Sequence, residues 1–225
     1  VLNPILDTLE SLYGPQSPNW PVDPYPFIVW WHCGYPASDA ACAKGWESLN
    51  RSIGIEPEQL LAASQAQLTA ALKPGGMVPE LRGFRLHQIA ERVQKEFAGD
   101  LSAALRALPL PKARAALKKF PNIADPGADR ILLFGRLSPI AAVPSNCPHV
   151  LVRIERGREY ENYGMNYSRA QESVAAAVEP RFEPRMRAYL LLKQHGQTIC
   201  KRTKPKCGSC PLAPNCAYAK LSKIS

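Results

Sequence analysis

Apolar residues recur along most of this chain at intervals of three and four, the spacing that lines one face of an α-helix. Leu2, Ile5, Leu6, Leu9 and Leu12 predict a first helix, with Asn3-Pro4 as N-cap and first helical residue and Gly14 as its stop. Five prolines (Pro15, Pro18, Pro21, Pro24 and Pro26) predict an extended connector over residues 15 to 26. Phe27 to Cys33 is a short apolar stretch whose element the pattern leaves open. Ser38 caps a helix running to about Ser52. Ser64 caps another that buries Leu68, Ala71 and Leu72 and breaks at Lys73-Pro74-Gly75-Gly76. Further helices are marked by Leu86, Ile89, Ala90 and Val93, by Leu101, Leu105 and Leu108, and by Ala113 to Lys119. Ile131 to Leu137 is an apolar run after a turn, and Ser168 to Val178 and Met186 to His195 are two more amphipathic helices. No segment alternates as a strand would, and there is no internal repeat or low-complexity tract. The predicted fold class is all-α.

Charge narrows the partners. Lys and Arg outnumber Asp and Glu by 28 to 19, a net +9 with a pI near 9.3, which favours a polyanion; a merely basic soluble protein is the plainer alternative. An apolar fraction of 46% suffices for a core. The first residues are amphipathic and carry acids, unlike a secretory leader, and the longest apolar runs, such as Phe27 to Trp31, are too short to cross a bilayer. A cytoplasmic protein is expected, nucleoid-associated if bacterial, in which cysteines stay reduced.

Seven cysteines, an odd number, argue against a disulfide framework. Cys200, Cys207, Cys210 and Cys216 stand six, two and five residues apart in one basic loop. Four soft thiolates so gathered suit a [4Fe-4S] cluster. The alternative, structural zinc, usually takes two close pairs, and only one close pair exists here. Lys201, Arg202, Lys204 and Lys206 are expected to lower the thiolate pKa values and offset the cluster's charge. Cys33, Cys42 and Cys147 are read as buried small apolar residues.

This cysteine spacing, with Pro205-Lys206 before the second ligand and Pro211-Leu212 after the third, resembles the cluster loop of the endonuclease III-like helix-hairpin-helix DNA glycosylases. The resemblance implies a two-lobed glycosylase-like fold. A helical barrel domain would span residues 24–136, and an iron–sulfur domain residues 1–23 and 137–225, with a cleft between. It also implies a monomer that binds double-stranded DNA, damaged or distorted, in base excision repair. The family's hairpin, Leu-Pro-Gly-Val-Gly, matches Phe120-Pro121-Asn122-Ile123-Ala124. Asn122 in the first glycine's place tolerates a left-handed backbone; Ala124 in the second's tolerates it less well. The DNA-binding residues so implied are Asn122, Ile123, Ala124, Gly127, Lys118, Lys119, Arg130, Lys201 and Arg202, with Lys112, Arg114 and Arg136 as further basic contacts.

The chain departs from the family where chemistry is done. The lysine nucleophile of bifunctional members aligns with Pro126, and the aspartate of a Val-Asp-Ser-Asn motif aligns with Pro144 in Val143-Pro144-Ser145-Asn146. Pro36 stands where a family glutamine reaches into the duplex. Proline can neither ionise nor attack, so the family's glycosylase and lyase chemistry is expected to be lost or altered. Two alternatives stay open. One is an active monofunctional glycosylase using displaced groups: Asp125, Asp129, or His149, which stands one helical turn past Ser145. The other is an iron–sulfur redox protein without DNA function. The aromatic cluster Trp20, Tyr25, Phe27, Trp30 and Trp31 suits core packing better than stacking on an extruded base.

Overall fold

The computed structural model describes residues 2–221. Its α-helices are α1 (Leu2–Tyr13), α2 (Pro24–His32), α3 (Asp39–Ser52), α4 (Pro57–Ala62), α5 (Gln65–Leu72), α6 (Pro79–Phe97), α7 (Leu101–Arg106), α8 (Leu110–Leu117), α9 (Asp125–Phe134), α10 (His149–Arg156), α11 (Tyr163–Ala177), α12 (Phe182–Thr198) and α13 (Ala217–Leu221). There is no strand among the described residues, so the protein is all-α as its spacing predicts. None of these helices is long and apolar enough to cross a membrane.

Local chemistry explains most boundaries. The Ser38 side chain accepts from the Ala41 N–H at the start of α3, and Ser64 with Gln67 forms a reciprocal cap on α5. The predicted connector of residues 15–26 ends earlier than expected. Pro24 and Pro26 lie in the first turn of α2, where no N–H is needed, and the apolar stretch beyond them completes that helix. Asn3 lies inside α1 rather than at its cap.

The chain forms two compact units. One runs from Pro18 to Ile123. In it α3 and α6 pack against α5 and α2, and α4 packs on α6, burying Ile28, Trp30, Leu49, Leu60, Leu68, Leu72, Leu86 and Ile89. Its loop between α5 and α6 is fastened by Arg82, which is wholly buried. The guanidinium donates to the carbonyls of Met77 at 2.9 Å, Leu72 at 3.0 Å and Gly76 at 2.7 Å, and also to that of Cys33. Gly75 is required there, because a Cβ would strike the Cys33 carbonyl and Arg82.

The other unit joins the residues up to Ser17 to those from Ala124 onward. Leu2, Leu6 and Leu9 of α1 share one core with Val150, Leu151 and Ile154 of α10, Ala170 and Val174 of α11, and Ala188, Leu191 and Leu192 of α12. Leu12, expected on that face, is nearly half exposed. Gly196 lets α12 approach the 147 loop, since a Cβ would lie 2.4 Å from the Cys147 sulfur. Cys33, Cys42 and Cys147 are buried thiols.

Candidate functional site

The segment after α8 passes from one unit to the next. On the first side Lys119, Phe120 and Ile123 donate to the carbonyls of Ala116, Leu117 and Phe120, which closes successive tight turns. Asn122 sits at φ +55°, in the left-handed region that asparagine tolerates. It is exposed, as are Lys118 and Lys119, whereas Ile123 is buried and anchors the turn. Beneath lies the buried ring of His32 in α2. Its Nδ1 is 2.8 Å from the Ile28 carbonyl, so that nitrogen donates. Its Nε2 then accepts from the Asn122 side-chain amide at 3.5 Å. Burial holds the imidazole neutral, with a pKa of about 4. Arg92 adds a bond to the Lys119 carbonyl and lies over the Phe120 ring at 5.6 Å.

On the second side Ala124 is the N-cap of α9, at φ −96° and ψ −172°. This backbone is extended, so the expected cost of alanine for glycine is absent: no left-handed conformation is needed there. Asp125 opens α9, and Pro126 and Gly127 complete its first turn. Proline fits that position because the first N–H groups of a helix have no partner within it.

The other candidates are scattered. Asp129 is wholly buried and accepts from the Tyr167 hydroxyl at 2.7 Å and the Gln171 amide at 3.0 Å. Burial, reinforced by this carboxylate, raises the Tyr167 pKa. Arg130, expected at a phosphate, is instead buried with its guanidinium 5.9 Å from the Tyr189 ring centre. Arg136 is exposed and paired with Glu183. Pro144 is buried, and Ser145 lies in a turn outside α10, so Ser145 and His149 share no helix face. His149 opens α10 and reaches the Cys200 carbonyl from Nε2 at 2.8 Å. Burial lowers its pKa.

That contact leads to the cysteine loop. Cys200, Cys207, Cys210 and Cys216 line one cavity with Arg153 of α10 and His195 of α12; its empty space is about 340 Å³, part of it open to solvent. Lys201, Arg202, Lys204 and Lys206 are exposed. They are not the cations that act on the sulfurs. Burial pushes the Cys200 thiol up to about 11, and the opposing positive group is Arg153, 3.9 Å from that sulfur. Burial likewise raises Cys210. Arg153 is the hub that the sequence did not reveal. It donates to the Lys201 and Arg202 carbonyls at 2.9 Å each, pairs with Glu159 at 2.6 Å, and lies 4.7 Å from the Tyr218 ring centre. Arg202 also reaches Glu159, at 3.5 Å. His195 places Nε2 3.6 Å from the Cys210 sulfur and Nδ1 3.0 Å from the Tyr13 hydroxyl.

Among the described residues, no group of three or more His, Cys, Asp or Glu side chains is set to hold a single metal ion. The ligands of a [4Fe-4S] cluster each bind a different iron and stand further apart. Four thiols around one cavity, with a guanidinium and an imidazole beside two of their sulfurs, fit that donor set.

No family model matches the chain. It is 26% identical over 171 residues to a thymine/uracil-DNA glycosylase of Pyrobaculum aerophilum, covering 75% of this chain and 70% of that one. It is 28% identical over 115 residues to endonuclease III of Escherichia coli, covering 51% of each, so that match spans about half of the relative. A solved endonuclease III in non-covalent complex with DNA shares the fold with a TM-score of 0.76 at 16% identity, over 100% of this chain and 97% of that one. A thermostable thymine-DNA glycosylase does so at 0.73 and 17%, over 97% and 96%. The chain is thus similar in sequence to these two glycosylase-type proteins, and it shares the helical fold of the endonuclease III-like helix-hairpin-helix glycosylases.

Proposed function

We propose that this chain binds duplex DNA through its hairpin turn, and that the glycosylase and lyase chemistry of its relatives is lost or altered in it. One observation supports the reading: the turn keeps its left-handed residue exposed beside two exposed lysines; beside it, Pro126 and Pro144 stand where the resemblance would put the catalytic lysine and aspartate. Main-chain N–H groups at such a turn suit phosphate, and Lys118 and Lys119 would add charge to the same contact. The net +9 supplies the long-range attraction.

Cys200, Cys207, Cys210 and Cys216 would hold a [4Fe-4S] cluster, whose iron–sulfur bonds tie the ends of a polar loop that buries little of its own surface. Within that loop Arg153 satisfies two carbonyls and His149 a third, and Lys201, Lys204 and Lys206 face solvent.

Two assays test the reading. Binding to a duplex should weaken steeply between low and physiological salt, by about 0.9 in the log–log slope for each phosphate neutralised. A flat response would remove the proposed basic face. Incubation with abasic and damaged-base duplexes plus borohydride should trap no covalent adduct, since Pro126 supplies no amine. An adduct would overturn the loss of lyase chemistry. Base release without an adduct would assign the chemistry to a displaced group, with Asp125→Asn the first variant to make, because Asp129 and His149 are buried and committed to structural partners.

A further inference from the structure

The cysteine cavity contains one feature that holding the loop does not require. His195 is 1% exposed and belongs to α12, yet its ring faces a cysteine sulfur on one side and a hydroxyl on the other. Nε2 lies 3.6 Å from Cys210 Sγ. Nδ1 lies 3.0 Å from the Tyr13 hydroxyl of α1, and that hydroxyl lies 3.0 Å from Thr198 Oγ1. The Thr198 hydroxyl donates to the Gln194 carbonyl at 2.7 Å.

The direction of this chain follows from its end group. A cysteine that binds iron is a thiolate with no proton of its own, so Nε2 must be the donor. A neutral imidazole carries one N–H, and Nδ1 must then accept. The Tyr13 hydroxyl is placed to supply that hydrogen, and the Tyr13 oxygen in turn faces the Thr198 hydroxyl. The Tyr13 and His195 bonds then both point toward the sulfur.

We propose that His195, held in its Nε2–H form by Tyr13, is a positioning residue that donates a hydrogen bond to the Cys210 sulfur and thereby sets the reduction potential of the bound cluster. The inference rests on the cluster reading above. Hydrogen bonds to the sulfurs are among the levers that fix such potentials, and outer partners orient the ligands themselves. One-electron reduction adds negative charge to the cluster and its thiolates, and an N–H donor stabilises the more negative form. Removing it makes reduction harder. Arg153 approaches Cys200 at 3.9 Å, so the two sulfurs receive different partners, one cationic and one neutral.

The test uses the full chain purified anaerobically with its cluster. Iron and sulfide are assayed first. Dithionite titration with redox mediators, followed by electron paramagnetic resonance, then gives the potential of the wild type, His195→Leu, His195→Gln and Tyr13→Phe. His195→Leu should be reduced at a more negative potential than wild type. His195→Gln keeps an N–H at the same reach and should recover most of the difference. Tyr13→Phe should shift in the same direction by less. An unchanged potential in His195→Leu with full iron content would overturn the inference and leave the cluster reading standing. Should that variant lose its cluster, Tyr13→Phe decides, and a wild-type potential there overturns the inference. Wild-type protein without iron and sulfide would overturn both.

Discussion

Replacing Arg153 by methionine should both loosen the protein and free the cysteine loop. The side chain is only 5% exposed, and its Glu159 partner 21%. The substitution removes donors from two loop carbonyls, 2.9 Å away in each case. Each such bond to a charged group contributes about 1.5–3 kcal/mol. Loss of the contact with Tyr218 adds roughly 1 kcal/mol, and Glu159 keeps a largely buried charge without its closest cation. These terms overlap, and the loss on breaking a buried pair by removing one partner is about 3–5 kcal/mol. Against a native stability of roughly 5–15 kcal/mol this is a large fraction. Urea denaturation followed by circular dichroism reads the global loss, and visible absorbance reads cluster release separately. Arg153→Lys keeps the charge but not the planar fork, and about half the loss should remain. Adding Glu159→Gln to Arg153→Met should recover part of it, because the stranded carboxylate is then neutral. A loss below about 1 kcal/mol for Arg153→Met, with cluster release unchanged, would refute the claim that this guanidinium organises the loop.

Other residues give sharper single tests. Asn122→Ala should lower stability by about 1–2 kcal/mol, since alanine lacks asparagine's tolerance of φ +55°, whereas Asn122→Gly should fold and bind DNA near wild type; equal losses in thermal melts would contradict this. The buried His32 has a pKa of about 4 against an ordinary 6.5, so between those values the unfolded chain binds a proton that the folded chain does not. Its contribution is therefore complete above about pH 6.5 and falls as the pH drops toward 4, by roughly 3 kcal/mol at most. His32→Gln should flatten that slope in urea melts from pH 4 to 7, and an unaltered slope would count against it. Asp129→Ala leaves the Tyr167 hydroxyl and Gln171 amide without their acceptor, which should cost about 2–4 kcal/mol and lower Tm by roughly 4–16 °C. Asp129→Asn should cost less; a fully stable Asp129→Asn that lost a base-release activity would give this residue a chemical role instead.

What could be read from residues alone divides along physical lines. Caps made by a side chain with its own helix, as at Ser38 and Ser64, are local and were legible. The helix Pro57–Ala62 escaped because its six residues show no stripe, although Glu56 and Gln59 form a capping pair. Tyr163–Tyr167 opens α11 without an apolar period, and the Asn162 cap is the signal that was available. Prolines 24 and 26 read as extended backbone because position within a helix's first turn is invisible until the helix is known. Asn122 was legible as a left-handed residue; Ala124 was misjudged because a glycine in a relative does not establish a positive φ here. Arg82 and Arg153 could not be anticipated, since their partners are carbonyls of loops brought in by tertiary folding. Charge counting assigned the sulfurs' environment to exposed lysines next in sequence, while the group that reaches Cys200 comes from 47 residues away.

The placement of α1 bears on how the protein is made. Leu2, Leu6 and Leu9 have their partners in helices ending with α12, so α1 has no core to join until roughly 180 residues after it have been made. At about 5–20 residues per second that is a wait on the order of ten seconds or more. Meanwhile the residues from Pro18 to Ile123 already contain what they need to collapse on themselves. An apolar stripe kept idle that long is a natural target for holding chaperones. Deleting α1 would therefore strip the core of a unit whose other helices are all made after it.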